Sequence, residues 1–301
     1  MHSPAASADR VPLLRGVALA AHTTLKIGGP AEFFYAPQRP EDLAALLTRL
    51  ESAGTPCRLL GGGANTLAPD GGVWGAVVHT GALRGLFREG NRLRAWPGVT
   101  LPQLVRAACD AGLGGVEKLI GVPGQIGGAL AMNAGSSEWG IWDAVEEVTL
   151  WEPGGGMRAF RPEEIGPRYR DGNLRGRVVL ECALRLRPEE PAALKARQDE
   201  FLRRKNATQP VTLSSAGCAF KNPPGDSAGR LVDAAGMKGA REGGAKISPL
   251  HANFIVNCGG ASAADVRALA TRAEEAVAAR FGVRLERELV LWPEPARPVS
   301  L

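Results

Sequence analysis

Residues 59–66 read Leu59-Leu60-Gly61-Gly62-Gly63-Ala64-Asn65-Thr66, and what lies on either side of them decides the fold. The apolar residues before the glycines end a short strand. Three consecutive glycines let successive backbone N–H groups converge into a nest that can hold an anion such as a pyrophosphate. No Gly-Lys-Ser/Thr follows, which excludes a Walker loop. The next periodic segment, WGAVVHT at 74–80, is another strand and not a helix, which excludes the strand–turn–helix unit of a GxGxxG dinucleotide site. On these residues alone a plain glycine-rich turn accounts for the stretch as well as a binding loop does.

A second glycine cluster lies at 119–135, LIGVPGQIGGALAMNAG. Pro123 stiffens the turn between Gly121 and Gly124, and Gly127 and Gly128 remove side chains that would block a flat ring. Ala129, Asn133 and Ala134 continue the same small-residue surface. The alternative is a glycine-softened helix packed on a sheet. Two such loops in one half of the chain fit an extended ligand with a diphosphate and an aromatic ring system, and FAD matches that description better than a mononucleotide does.

Composition narrows the remaining classes. With 301 residues and 45% hydrophobic content the chain can bury a large core, and two domains are expected. No apolar run approaches the roughly 18–20 residues of a membrane helix. The first 20 residues lack a sustained apolar core and read as a loose extension. Five cysteines without a CxxC pair argue against a disulfide framework and for a reducing cytoplasm, and four histidines without ligand spacing give no metal site. A net charge of +5 with only 5% aromatics lacks the footprint of nucleic-acid binding.

Periodicity supplies the scaffold. Leu43, Leu46, Leu47 and Leu50 share a helical face over 40–53, with Pro40 at the start and Gly54 past the end. Thr100 caps a helix that Gly112 closes. Residues 145–160 predict a hairpin around Gly154-Gly155-Gly156. Over 178–187, Val178, Leu180, Cys182, Leu184 and Leu186 alternate and are expected on one face, which makes Cys182 a packing residue, as Cys57 and Cys109 are. The run Arg187-Pro188-Glu189-Glu190-Pro191 marks a domain boundary before a charged helix over 191–205. Ser262 and Asp265 open a helix that Gly282 stops, and 285–292, LERELVLW, predicts a strand with Glu286 and Glu288 on the same side.

The segments TTLKIGGPAEFF (23–34), LLGGGANTL (59–67), LIGVPGQIGGALAMNAG (119–135), PRYR (167–170), SSAGCAFKNP (214–223), AGRLVDAAGMKG (228–239), HANFIVN (251–257) and LERELVLW (285–292) occur in this order. Together they strongly resemble the UDP-N-acetylenolpyruvoylglucosamine reductases, also called UDP-N-acetylmuramate dehydrogenases. The resemblance covers roughly residues 20–292. It implies an α+β fold: a vanillyl-alcohol-oxidase-like FAD-binding domain of two α/β subdomains at 21–188, then a smaller α+β substrate-binding domain at 189–301. It also implies a cytoplasmic enzyme of peptidoglycan synthesis that holds FAD non-covalently and is reduced by NADPH. Its substrate would be UDP-N-acetylglucosamine-enolpyruvate, and a monomer is expected. The only tyrosines are Tyr35 and Tyr169, both inside other motifs, so the chain resembles the shorter family type without a tyrosine-bearing loop.

The resemblance assigns roles residue by residue. Arg170 matches the arginine that grips the substrate carboxylate, where a planar guanidinium can hold both oxygens and a developing oxyanion. The family usually has a serine two residues later, and here that position is Gly172. Glu288 matches the carboxyl group beside the substrate carboxylate, although Glu286 is not separated from it by periodicity. Cys218 stands where the family usually has a proton-donating serine. A thiol is the stronger acid, stays mostly protonated at neutral pH and can donate, at the cost of an oxidation liability beside a flavin; the alternative is an inert buried cysteine. Cofactor contacts are expected from Gly61, Gly62, Gly63, Ala64, Asn65, Thr66, Gly121, Pro123, Gly124, Gly127, Gly128, Ala129, Asn133 and Ala134. Substrate contacts are expected from Tyr169, Lys221 and Asn222. Arg203, Arg204 and Lys205 are equally diphosphate ligands or a solvated helix face. His251 and Asn253 are expected to shape the fold, His79 to be structural and not a flavin linkage, and Ala216, Gly217 and Ala219 to give clearance for the sugar nucleotide. An oxidase on the same fold and a ligand-binding regulator without catalysis remain as competing readings.

Overall fold

The computed structural model describes residues 7–136 and 138–295. They form two compact units that interleave in sequence. One comprises the chain up to Arg15, Phe33–Gly62 and Gly75–Arg203; the other comprises Gly16–Glu32, Gly63–Trp74 and the chain from Arg204 on. The glycine run at 61–63 thus straddles a unit boundary.

The first unit holds two sheets, each with its own core. Strands Cys57–Leu60 and Val73–His79 pair in parallel, in register from Cys57↔Ala76 to Leu60↔His79. Leu13 and Leu14 pair antiparallel with Tyr35 and Phe34. Helix Pro40–Ser52 begins with proline, whose missing N–H costs nothing in a first turn. It buries Leu43, Leu46, Leu47 and Leu50 against Tyr35, Ala76 and Val78, as its spacing predicts. The second sheet is antiparallel throughout, in the order Met157–Phe160, Val145–Trp151, Val178–Arg185, Arg92–Ala95 and Leu86–Glu89. Helix Leu101–Asp110, closed at its start by a reciprocal capping box of Thr100 and Gln103, packs into the core of this sheet.

The alternation over 178–186 corrects one expectation. Pairing with the 145–151 strand slips between Thr149↔Glu181 and Leu150↔Val179, so Leu180 is an extra residue. A bulge of this kind flips the faces downstream. Val178 and Leu180 therefore pack in the core of the first sheet, while Cys182, Leu184 and Leu186 pack in that of the second. Cys182 is a packing residue all the same: it is 1% exposed, and burial pushes its thiol up to about 12. Cys57, half-buried, is pushed up to about 11 for the same reason.

The second unit is a four-stranded antiparallel sheet, ordered Ser214–Cys218, Phe254–Asn257, Ala245–Ile247 and Arg241–Glu242. Helices Ala228–Ala234 and Ala263–Phe281 cover it and share its core with Leu25, Ile27, Leu67 and Phe220. Phe220 is fully buried, which stabilises this unit by about 2–3 kcal/mol relative to exposure. Helix Ala263–Phe281 has the predicted ends: Ser262 and Asp265 form a capping box, and Gly282 stops it at φ 67°. Asp70 adds a second cap, accepting from the amides of Ala263 at 2.7 Å and Ala264 at 3.1 Å.

Two further expectations need correction here. The stretch 285–292 is a strand only at Val290–Leu291, which pairs in parallel with Thr66–Leu67. Upstream the chain follows hydrogen bonds to neighbouring loops and not a ladder, so Glu286 and Glu288 do not share an environment. Of the segment 1–20, residues 1–6 lie outside the described residues, whereas Leu13–Leu14 and Val17–Ala18 pair with neighbouring chain and Leu19 is fully buried.

Candidate active site

In the first unit the two glycine loops meet. A β-carbon on Gly62 would stand 3.3 Å from the Gly124 Cα, so the backbones approach as closely as only glycine allows. The second loop is sewn to residues 97–101: Leu101 N donates to the Gly124 carbonyl at 3.1 Å, Ile126 N to Val99 at 2.9 Å and Gly127 N to Pro97 at 2.9 Å. The expected clearance at Gly127 and Gly128 is divided. A side chain on Gly128 would enter open space, but one on Gly127 would strike Pro97 at 2.9 Å, so Gly127 is required by packing.

Between the loops lies a residue that the sequence reading passed over. Gln125 is 7% exposed, and its Oε1 is buried with no hydrogen-bond partner among the described residues. That oxygen stands 3.4 Å from where a β-carbon on Gly61 would be. A buried amide oxygen left unsatisfied costs about 1–3 kcal/mol, a penalty that a bound group with N–H or O–H donors would remove. Close glycine backbones and an orphan amide acceptor fit the ring and ribityl portions of FAD. The only signal in the sequence was an uncharged polar residue inside an otherwise small and apolar loop.

The PRYR turn is attached to the end of the second loop. Arg168 N donates to the Asp171 carbonyl at 2.7 Å, and Asp171 N returns a bond to Arg168 at 3.1 Å, closing a turn that holds Arg170 at φ 55°. A non-glycine residue held there is strained and over-determined by its surroundings. Arg170 is half-buried, with Nε and Nη1 inside the protein and its guanidinium 5.1 Å from the Tyr169 ring. Tyr169 itself is exposed. Asn133, at φ 43°, donates from Nδ2 to the Arg168 carbonyl at 3.0 Å and accepts from Trp142 N at 3.4 Å. Gly172 N donates to the Ala131 carbonyl at 2.8 Å, and a β-carbon on Gly172 would lie 1.9 Å from the Leu130 carbonyl oxygen. Glycine at position 172 is thus what lets this turn seat on the loop.

In the second unit Cys218 ends its strand after a bulge. Ser215 pairs with Val256 and Cys218 with Phe254, leaving an extra residue between them, and Gly217 takes φ 76°. Such a bulge re-aims the side chain that follows it. This accounts for the order of SSAGCAFKNP better than clearance does: Ala216 and Ala219 are 5% and 4% exposed members of the core, and only Gly217 serves the backbone. Just beyond, Asn253 clamps Phe220 from both sides, accepting from its amide at 2.9 Å and donating to its carbonyl at 2.8 Å. Ala219 N donates to the Asn253 carbonyl at 2.7 Å, and His251 Nδ1 accepts from Asn253 N at 3.2 Å. Asn253 and His251 of HANFIVN thus hold local backbone, a role in shaping the fold.

Glu288 joins this group through its backbone. Its amide donates to the Ala219 carbonyl at 2.8 Å, and its carbonyl accepts from Asn65 Nδ2 at 2.9 Å. Glu288 is half-buried, whereas Glu286 is exposed and ion-paired with Lys221. Asn222 Oδ1 accepts from Ala228 N at 3.0 Å at the start of a helix. Gly63 takes its place because a side chain there would collide with the His22 carbonyl at 2.2 Å. On helix Pro191–Thr208, Arg203 and Arg204 are exposed, while burial brings Lys205 down to about 8. His79 stacks on Phe34, ring centroids 5.5 Å apart. Among the described residues no cluster of His, Cys, Asp and Glu could hold a metal ion, and no helix is long and apolar enough to cross a membrane.

Comparison with known proteins places this arrangement. Residues 31–160 match the profile of a FAD binding domain, and residues 209–292 match that of UDP-N-acetylenolpyruvoylglucosamine reductase, C-terminal domain. A FAD-binding domain joined to this C-terminal domain defines a flavin-dependent oxidoreductase. The UDP-N-acetylenolpyruvoylglucosamine reductase of Geobacter metallireducens is 44% identical over 282 residues, covering 93% of this chain and 94% of the relative. That of Moorella thermoacetica is 41% identical, covering 95% of each. The crystal structure of the Thermus caldophilus UDP-N-acetylenolpyruvylglucosamine reductase superposes with a TM-score of 0.81 at 39% identity, over 94% of this chain and 99% of that one. The chain belongs to the UDP-N-acetylenolpyruvoylglucosamine reductase family, and its cofactor is FAD.

Proposed function

We propose that this chain reduces the enolpyruvyl ether of UDP-N-acetylglucosamine-enolpyruvate to the lactyl ether of UDP-N-acetylmuramate, as a cytoplasmic step of peptidoglycan precursor synthesis, with NADPH as the source of electrons. FAD, when bound, would supply the hydride chemistry that links NADPH to the alkene. The residues of this chain do the rest. Negative charge then develops on the carbon next to the carboxylate, where it needs a fixed cationic partner and a proton. Arg170, held at a left-handed φ by its turn, is the fork for that carboxylate. Glu288, as the acid or through a shared hydrogen bond, stabilises the enolate-like charge. Cys218 gives its proton to the carbon, and the thiolate is re-protonated from water. Gln125 is the buried contact for the flavin. Lys221 and Asn222 face the sugar nucleotide, and the exposed Lys221–Glu286 pair, worth at most about 1 kcal/mol, is readily exchanged for a ligand contact.

The observation that supports this reading most is the bond from Glu288 N to the Ala219 carbonyl, which puts the acid and the thiol-bearing strand in one hydrogen-bonded step. The purified protein should be yellow and should bleach with NADPH under anaerobic conditions. Its colour should return on adding UDP-N-acetylglucosamine-enolpyruvate. Persistence of the bleached state with that substrate sinks the proposal, and rapid recolouring by air alone favours an oxidase.

A further inference from the structure

Each glycine loop carries one asparagine, and each donates from its side chain to backbone. Asn65, four residues into the first loop, donates from Nδ2 to the carbonyl of Glu288, and its own carbonyl accepts from Val290 N at 3.0 Å. Asn133, near the end of the second loop, donates from Nδ2 to the carbonyl of Arg168, two residues before Arg170. The same chemistry thus occurs once in each unit: a loop amide holding the main chain that carries a residue for the substrate carboxylate.

We infer that Asn65 and Asn133 are positioning residues, Asn65 for Glu288 and Asn133 for Arg170. This rests on the proposed function, because it presumes that Glu288 and Arg170 act on the substrate. An amide suits both places. Its N–H reaches a carbonyl, and its small polar side chain tolerates the φ of 43° that Asn133 adopts. These bonds add to anchors already present: Glu288 N donates to the Ala219 carbonyl, and the Arg168–Asp171 bonds close the turn that carries the strained Arg170, so losing an asparagine donor would let each side-chain origin shift. A displacement of about 1 Å at a reacting group can cost about a hundredfold in rate.

The variants Asn65→Asp and Asn133→Asp keep shape and backbone tolerance but replace the donor with an oxygen that repels the carbonyl. With the FAD-loaded protein, recolouring by UDP-N-acetylglucosamine-enolpyruvate should slow by about tenfold or more, and by more than bleaching by NADPH does. Combining Asn65→Asp with Glu288→Gln, or Asn133→Asp with Arg170→Lys, should be little slower than Glu288→Gln or Arg170→Lys alone, since members of one unit are not additive. Equal slowing of bleaching and recolouring, or loss of flavin, would make these asparagines cofactor ligands and overturn the inference. Multiplicative effects in the double variants overturn it too. If Asn65→Asp or Asn133→Asp does not fold, Asn65→Ala and Asn133→Gly carry the same comparison. Wild-type protein that NADPH bleaches but the substrate does not recolour defeats the proposed function instead, and is told apart by that control.

Discussion

The amide of Glu288 donates to the carbonyl of Ala219 at 2.8 Å, so a residue near the end of the chain is tied to the neighbour of Cys218. The thiol and the carboxyl group are thereby referred to the same piece of backbone. If Cys218 is the proton donor, the chemistry of its side chain should matter more than its volume. Cys218→Ser should keep turnover within about tenfold of wild type, and Cys218→Ala should lose about a hundredfold or more, the usual worth of a positioned proton donor. Flavin reduction by NADPH should be unchanged in both. Equal losses in stopped-flow recolouring would assign Cys218 to packing.

Gly172→Ser should harm this protein. The new β-carbon would fall 1.9 Å from the Leu130 carbonyl, an overlap that only backbone movement relieves. A loss of about 2 kcal/mol or more is expected in urea denaturation, in the range of overpacked sites. KM for the enolpyruvyl substrate should rise as the Arg170 turn lifts from the loop.

Gln125→Leu separates holding the cofactor from holding the fold. Removing an orphan acceptor should stabilise the flavin-free protein by about 1 kcal/mol. The same change should weaken FAD binding about tenfold, or about 1.4 kcal/mol, read by titrating flavin fluorescence. If affinity does not fall, the Gln125 amide does not meet the flavin.

Burial, aided by the charge of Lys238, holds the His251 imidazole below the ordinary histidine range. The unfolded chain therefore takes up this proton first as pH falls below about 6.5. Stability should be level in this respect above that pH and decline below it, until the folded state also protonates. His251→Asn should start lower, having lost the ring's packing on Phe254, but should show a shallower decline in urea midpoints measured from pH 7.5 to 5.

What could be read from residues alone was what is decided locally. Thr100 with Gln103, and Ser262 with Asp265 and Gly282, carry their helix ends within one turn, and the 145–160 hairpin carries its own turn. The extra residue at Leu180 could not be read, because a bulge is set by register with a partner strand and leaves no mark on the alternation itself. Glu286 and Glu288 looked equivalent for the same reason: their difference comes from Lys221, Ala219 and Asn65, all distant in sequence. Gln125 carries no charge and no motif, so only its burial without a partner singles it out.

The parallel pairing of Thr66–Leu67 with Val290–Leu291 joins segments made far apart in time. On the ribosome, Gly16–Glu32 and Gly63–Trp74 emerge early but belong to a unit whose other members come from Arg204 on. They must wait through most of synthesis for the partners that follow Arg204, while the surrounding segments can already collapse into the first unit. Long-range pairing of this kind is slow and leaves apolar chain exposed in the interval. Nascent chains arrested before Val290 should therefore lean on chaperones, and the strand following the cofactor loop would be among the last parts of the enzyme to become native.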